Sequence, residues 1–114
     1  MSDDRDLSIS ADVLYGIVQL AVEGVDGLTL AAPSPRVGEI LSGRRAKGIR
    51  IERTGERVRI SLSASVTYGM AIPQVAVEAQ RAVREAVASM TGLEVDSVDV
   101  HVDRVTLPAE LASG

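Results

Sequence analysis

From Val58 to Tyr68 the chain alternates without a break. Val58, Ile60, Leu62, Ala64, Val66 and Tyr68 fall on one face, and Arg59, Ser61, Ser63, Ser65 and Thr67 on the other. A period of two is that of a β-strand. An apolar face opposite a hydroxyl-rich face predicts a sheet that is covered on one side and wet on the other. Just upstream, Ile49 and Ile51 alternate with Arg50 and Glu52, and Thr54-Gly55-Glu56 supplies a turn. Two antiparallel strands therefore form a hairpin. Downstream, Val98, Val100 and Val102 alternate with Asp99, His101 and Asp103 in a last strand.

Two stretches switch to helical spacing. Ser10 precedes Ala11-Asp12-Val13 as an N-cap, and Val13, Ile17, Leu20 with Leu14, Val18, Ala21 form a stripe that Gly24 closes as a left-handed residue. Gly16 lies inside this helix, where glycine costs about 1 kcal/mol relative to alanine, so a close approach by another element is expected there. Pro73 suits the first position of a second helix, which runs to Met90 and stops at Gly92. Its predicted buried stripe is Ile72, Ala76, Ala79, Val83, Ala86, Val87 and Met90, with Val77 left outside it. The order α-β-β-α-β predicts an α+β fold with a mixed three-stranded sheet and both helices on its apolar face. The crossover through the second helix is expected to be right-handed. The pattern leaves the strand order open.

The 114 residues, 46% hydrophobic and 25% charged, suit one folded domain. Residues 1–8 read as a flexible acidic tail, 9–107 as the domain and 108–114 as a small-residue tail. Within the domain, residues 31–48 read as a long connection rich in Pro, Gly and Ser. Connections of that length are uncommon unless they serve a function. The net charge of −4 counts against a nucleic-acid binder, and DNA is not expected as a partner. Charge is unevenly spread, however. Between Arg36 and Arg59 eight basic residues face three acids, a local +5 against −9 for the remainder. Such asymmetry orients a protein toward an anionic partner or toward copies of itself. The partner-binding candidates are Arg44, Arg45, Lys47, Arg50, Arg57 and Arg59, together with the wet sheet face bearing Ser61, Ser63, Ser65, Asp99 and His101.

Composition removes much chemistry. With no Cys, Trp or Phe and a single His, the chain has no disulfide framework, thiolate zinc site, cysteine nucleophile or broad aromatic platform. Asp99, His101 and Asp103 share a strand face at i, i+2 and i+4. Neighbours roughly 7 Å apart cannot all reach one ion at ~2.1 Å, so they read as a solvated face. The serines lack a G-x-S-x-G elbow, and no phosphate-cradling glycine loop occurs. Gly24-Val25-Asp26-Gly27 has the G-x-x-G spacing of RNA-gripping KH modules, but it follows a helix and carries an acid where phosphate would sit. No catalytic residue, cofactor or metal is implied. The acidic start Met1-Ser2-Asp3-Asp4 and the lack of any apolar run of about 18 residues predict a cytoplasmic chain.

Several features occur in an informative order: Ile9-Ser10, Val13, Ile17 and Gly24-Val25; Gly48-Ile49; Val66-Thr67-Tyr68-Gly69-Met70-Ala71-Ile72-Pro73; Thr91-Gly92-Leu93; and Val95, Val98, Val100, Val102 and Val105. In that order and spacing, from Ile9 to Leu107, the chain resembles the alkaline shock protein family, the general or envelope stress response proteins of Gram-positive bacteria. The resemblance implies a non-enzymatic cytoplasmic scaffold or adaptor in cell-envelope homeostasis. Relatives of this kind self-associate or are held at the membrane by small membrane-embedded partners, which makes a homo-oligomer and a peripheral location the expectation. The arginine-rich connection and Asp99, where many relatives have Asn, depart from the family pattern. An RNA-binding KH-like module and a regulatory partner of an envelope or lipid-synthesis enzyme are the alternatives. An unpaired edge strand offers a further route to self-association.

Overall fold

A computed structural model describes residues 8–30 and 48–107. The acidic tail, most of the long connection with Arg44, Arg45 and Lys47, and the C-terminal tail lie outside the described residues. The element order is α1 (Ala11–Glu23), β1 (Leu28–Leu30), β2 (Ile49–Thr54), β3 (Arg57–Thr67), α2 (Ile72–Thr91) and β4 (Glu94–Thr106). The α+β architecture with a mixed sheet is as expected, but the sheet has four strands. The added strand, β1, spans three residues, too few for a period to show.

β3 organises the sheet. β4 runs parallel to it along its whole length, while β2 and β1 pair antiparallel with successive stretches, Arg57 to Leu62 and Ala64 to Val66. The β2–β3 hairpin closes on Gly55 with φ +62, a value glycine adopts without strain, as the first central residue of a two-residue loop requires. Alternation along β3 is as the sequence demands: Val58, Ile60, Leu62, Ala64 and Val66 are all buried. Both helices press on that face, α2 over β4 and α1 over β1 and β2, and they pack against each other.

Ser10 caps α1, its Oγ accepting from Val13 N–H at 3.3 Å. The helix buries Leu14, Tyr15, Ile17, Val18 and Val22, whereas Val13 and Leu20, read as core, are exposed. The stripe is thus rotated so that Tyr15 faces inward, where its hydroxyl accepts from Ile51 N–H at 3.4 Å. α2 buries Val75, Ala79, Val83 and Val87, while Ile72 and Met90 are exposed at its two ends. Gly92, with φ +77, is the left-handed stop anticipated for α2. Gly24 is not one: its φ is −84, and Gly27 makes the left-handed turn instead. No other element approaches within 4 Å of a β-carbon built on Gly16, so that glycine is not explained by packing.

Gly27 combines φ +84 with a tight neighbour, since an added β-carbon would lie 2.8 Å from Met70 Cε. Met70 ends in a flexible thioether and can move, so the backbone dominates the cost. Gly27→Ala is therefore expected to lower stability by about 1–2 kcal/mol in denaturant unfolding, whereas Gly16→Ala is expected to raise it by up to about 1 kcal/mol.

Candidate functional site

The sheet face turned away from the helices carries the polar residues singled out in the sequence. Register sets them in rows across β2, β3 and β4: Arg50, Ser61 and Asp99 in one, Glu52, Arg59 and Ser97 in another, with Ser63 beside His101 between β3 and β4. Strands spaced about 4.8 Å apart make these side chains direct neighbours. Gly48, Ile49, Arg50, Ser61, Ser63 and His101 line a shallow open depression there. Arg50, Arg59, Asp99 and His101 are exposed, and the three serines are half-buried.

Arg57 differs from the other basic candidates. Its Nε donates to Asp96 Oδ1 at 3.1 Å and its Nη2 lies 3.6 Å from Glu94 Oε2, which ties the hairpin end of β3 to the start of β4. Among the described residues no acid lies within ion-pair distance of Arg50 or Arg59, so neither is held in a salt bridge, although Glu52 stands opposite Arg59 in the register. The pairing of Arg57 arises between segments 37 or more residues apart and has no local signal.

Ser63 and His101 are brought side by side, yet no hydrogen bond joins them. Asp99 stands on the same strand as His101, roughly 7 Å along it. The orienting contact that a serine triad needs is therefore missing from this set. Asp103 leaves the expected row altogether. The pairing of β3 with β4 shifts between Ala64 and Ser65, so Asp103 is an extra residue and Arg104 comes opposite Ser65. Such a bulge cannot be read from alternation, because it is a property of the pair of strands. Among the described residues no group of three His, Asp or Glu is placed to hold a metal ion. The Gly24 to Gly27 segment joins α1 to β1 instead of joining two helices, so it lacks the setting in which a KH loop grips RNA.

The chain's arrangement can be set beside known proteins. The family model of the alkaline shock proteins, described as having cell envelope-related function, matches residues 1–107. Two uncharacterized proteins of Bacillus subtilis (strain 168) are similar. YloU is 36% identical over 99 residues, covering 82% of this chain and 75% of YloU. YqhY is 26% identical over 102 residues, covering 84% of this chain and 73% of YqhY. No solved structure matches the chain.

Proposed function

The chain belongs to the alkaline shock protein family, whose function is cell envelope-related, and from that premise we propose that it is a non-enzymatic cytoplasmic scaffold or adaptor acting by protein–protein contact near the membrane. The observation that carries the reading is the sheet face turned away from α1 and α2, on which Arg50 and Arg59 are exposed and lie outside ion-pair distance of any described acid. A broad, shallow, polar surface suits a protein partner better than a small molecule, which needs an enclosing pocket. Arg44, Arg45 and Lys47 precede β2 in the sequence and add three positive charges to that part of the chain. An acidic segment of a partner is the complementary surface. No described helix is long and apolar enough to cross a membrane, so in this reading a small membrane-embedded protein supplies the anchor.

Affinity purification of the tagged chain from native cytoplasmic and membrane fractions, at moderate salt, tests the proposal. Reversing the charges (Arg44→Glu, Arg45→Glu, Lys47→Glu, Arg50→Glu and Arg59→Glu together) is expected to lower recovery of a membrane-protein partner by at least about tenfold, the equivalent of ~1.4 kcal/mol. Arg50 and Arg59 are exposed, and the unfolding midpoint measured alongside shows whether the variant remains folded. Undiminished recovery with the charges reversed would count against the basic surface. Co-eluting RNA in place of any protein would favour the KH-like alternative, and a co-eluting lipid-synthesis enzyme the regulatory one.

A further inference from the structure

β3 pairs with one long side of β4, and no described strand takes the other. Two contacts fix the direction of β4's backbone groups. Glu94 N–H donates to Glu56 O at 2.8 Å, and Thr106 O accepts from Tyr68 N–H at 2.8 Å, so both ends of β4 face β3 in this polar-face set. Residues whose side chains lie on the helix face therefore turn their N–H and C=O groups to the open side. They are Val95, Val98, Val100, Val102 and Val105. Side chains of α2 agree with this, for Gln80 Nε2 donates to Val98 O at 3.0 Å and Arg84 Nη1 to Val95 O at 2.8 Å.

These five valines are spaced symmetrically about Val100. Extra residues at Asp96 and Asp103 lengthen β4 on both sides of the centre, so the outer steps are three residues and the inner steps two. A strand of that form matches a copy of itself running antiparallel. Val100 then meets Val100, Val98 meets Val102, Val95 meets Val105, and the lengthened stretches lie opposite one another. On the polar face the same register sets Asp99 against His101, a carboxylate against an imidazole, and Asp96, which also holds Arg57 of its own protomer, against Arg104.

Other registers fail. A shift one way brings Asp99 against Asp99 and Val95 against Asp103. The shift the other way sets Asp99 against Asp103 and Val98 against Arg104. Odd shifts oppose the valines of one copy to the polar residues of the other, which turns one sheet over. We propose that the open side of β4 is a homodimer interface, an antiparallel two-fold pairing centred on Val100 that joins two sheets into one with all helices on the same face. The occupant is a second copy of this chain, selected by the self-complementary charges and bulges. Gln80 and Arg84 do not block it, because each carbonyl oxygen they cap has a second lone pair. The pairing goes beyond the envelope reading and does not depend on it.

Sedimentation of the full chain over a concentration series tests the pairing, with circular dichroism confirming that each variant is folded. The wild type is expected to dimerise with rising concentration. Asp96→Lys with Asp99→Lys makes one variant, and His101→Asp with Arg104→Glu makes the other. Each alone sets like charges or an acid against an acid and is expected to weaken dimerisation at least about tenfold. Mixed in equal amounts, the two variants are expected to recover a heterodimer, since both substituted positions of the first then face the new acids of the second and Arg104 of the first faces Asp96 of the second. Val100→Pro removes an N–H on the open side and leaves the ladder to β3 intact, and is expected to abolish the dimer. A wild type that stays monomeric overturns the proposal. So does self-association that all three variants leave unchanged, or that is lost only when Arg50 and Arg59 are reversed.

Discussion

Val83→Asp is expected to abolish the cooperative unfolding transition of the domain. Val83 has no solvent exposure and sits in the stripe by which α2 covers the sheet, between Ala79 and Val87, which are equally sealed. No buried polar or charged residue lies among the described residues to receive a carboxylate. Even protonated, the new group leaves hydrogen-bonding capacity unmet at a cost of about 2–7 kcal/mol, before the loss of valine packing is added. A domain of this size has about 5–15 kcal/mol in total. A thermal melt followed by circular dichroism is therefore expected to show no sharp transition, or one at greatly lowered temperature. Val77→Asp, on the same helix but 57% exposed, is the control and is expected to stay within about 0.5 kcal/mol of the parent. The reverse result, with Val77 the sensitive position, would mean that α2 is turned on its axis.

Leu62→Ala is expected to destabilise the domain by about 3 kcal/mol, within the roughly 2–5 kcal/mol range for a buried leucine whose surroundings relax only in part. Leu62 is fully buried at the middle of β3, in a row with Ile49 on β2 and Val100 on β4. Three strands and the helix layer meet there, so the cavity has no mobile end into which it can collapse. For a domain of this size the loss corresponds to a fall in melting temperature of roughly 15 °C. Ser61→Ala, one residue away but on the opposite face, is expected to change stability by less than about 0.5 kcal/mol. Urea unfolding of the pair measures the difference between the two faces of one strand.

The polar face was legible at the sequence level because alternation along β3 alone assigns Ser61, Ser63 and Ser65 to one side. Its cationic character was less so. Arg50, Arg57 and Arg59 are equivalent in a charge count, yet Arg57 is held by Asp96 and Glu94 while no described acid lies within ion-pair distance of the other two. That distinction depends on β4 lying beside β3, although the whole of α2 separates the two strands in the chain. Asp103 shows the same limit. Its place in the alternation of β4 puts it beside His101, but the shift in pairing at Ser65 removes it from the row.

Taken alone, the sequence determined the faces of β3, the hairpin, the two helices and the stops at Gly55 and Gly92. Each rests on local backbone geometry, a period of two or 3.6 residues or a turn that needs positive φ. Tertiary structure alone decided which part of each apolar stripe is sealed. Ile72 and Met90 point in the direction of the buried stripe of α2, but they lie in its first and last turns and stay exposed. It also decided the added strand β1, the strand order and the open side of β4. The reason is that strand pairing satisfies backbone groups between distant segments. Every residue other than proline carries the same N–H and C=O, so side-chain pattern does not say which segment will meet them.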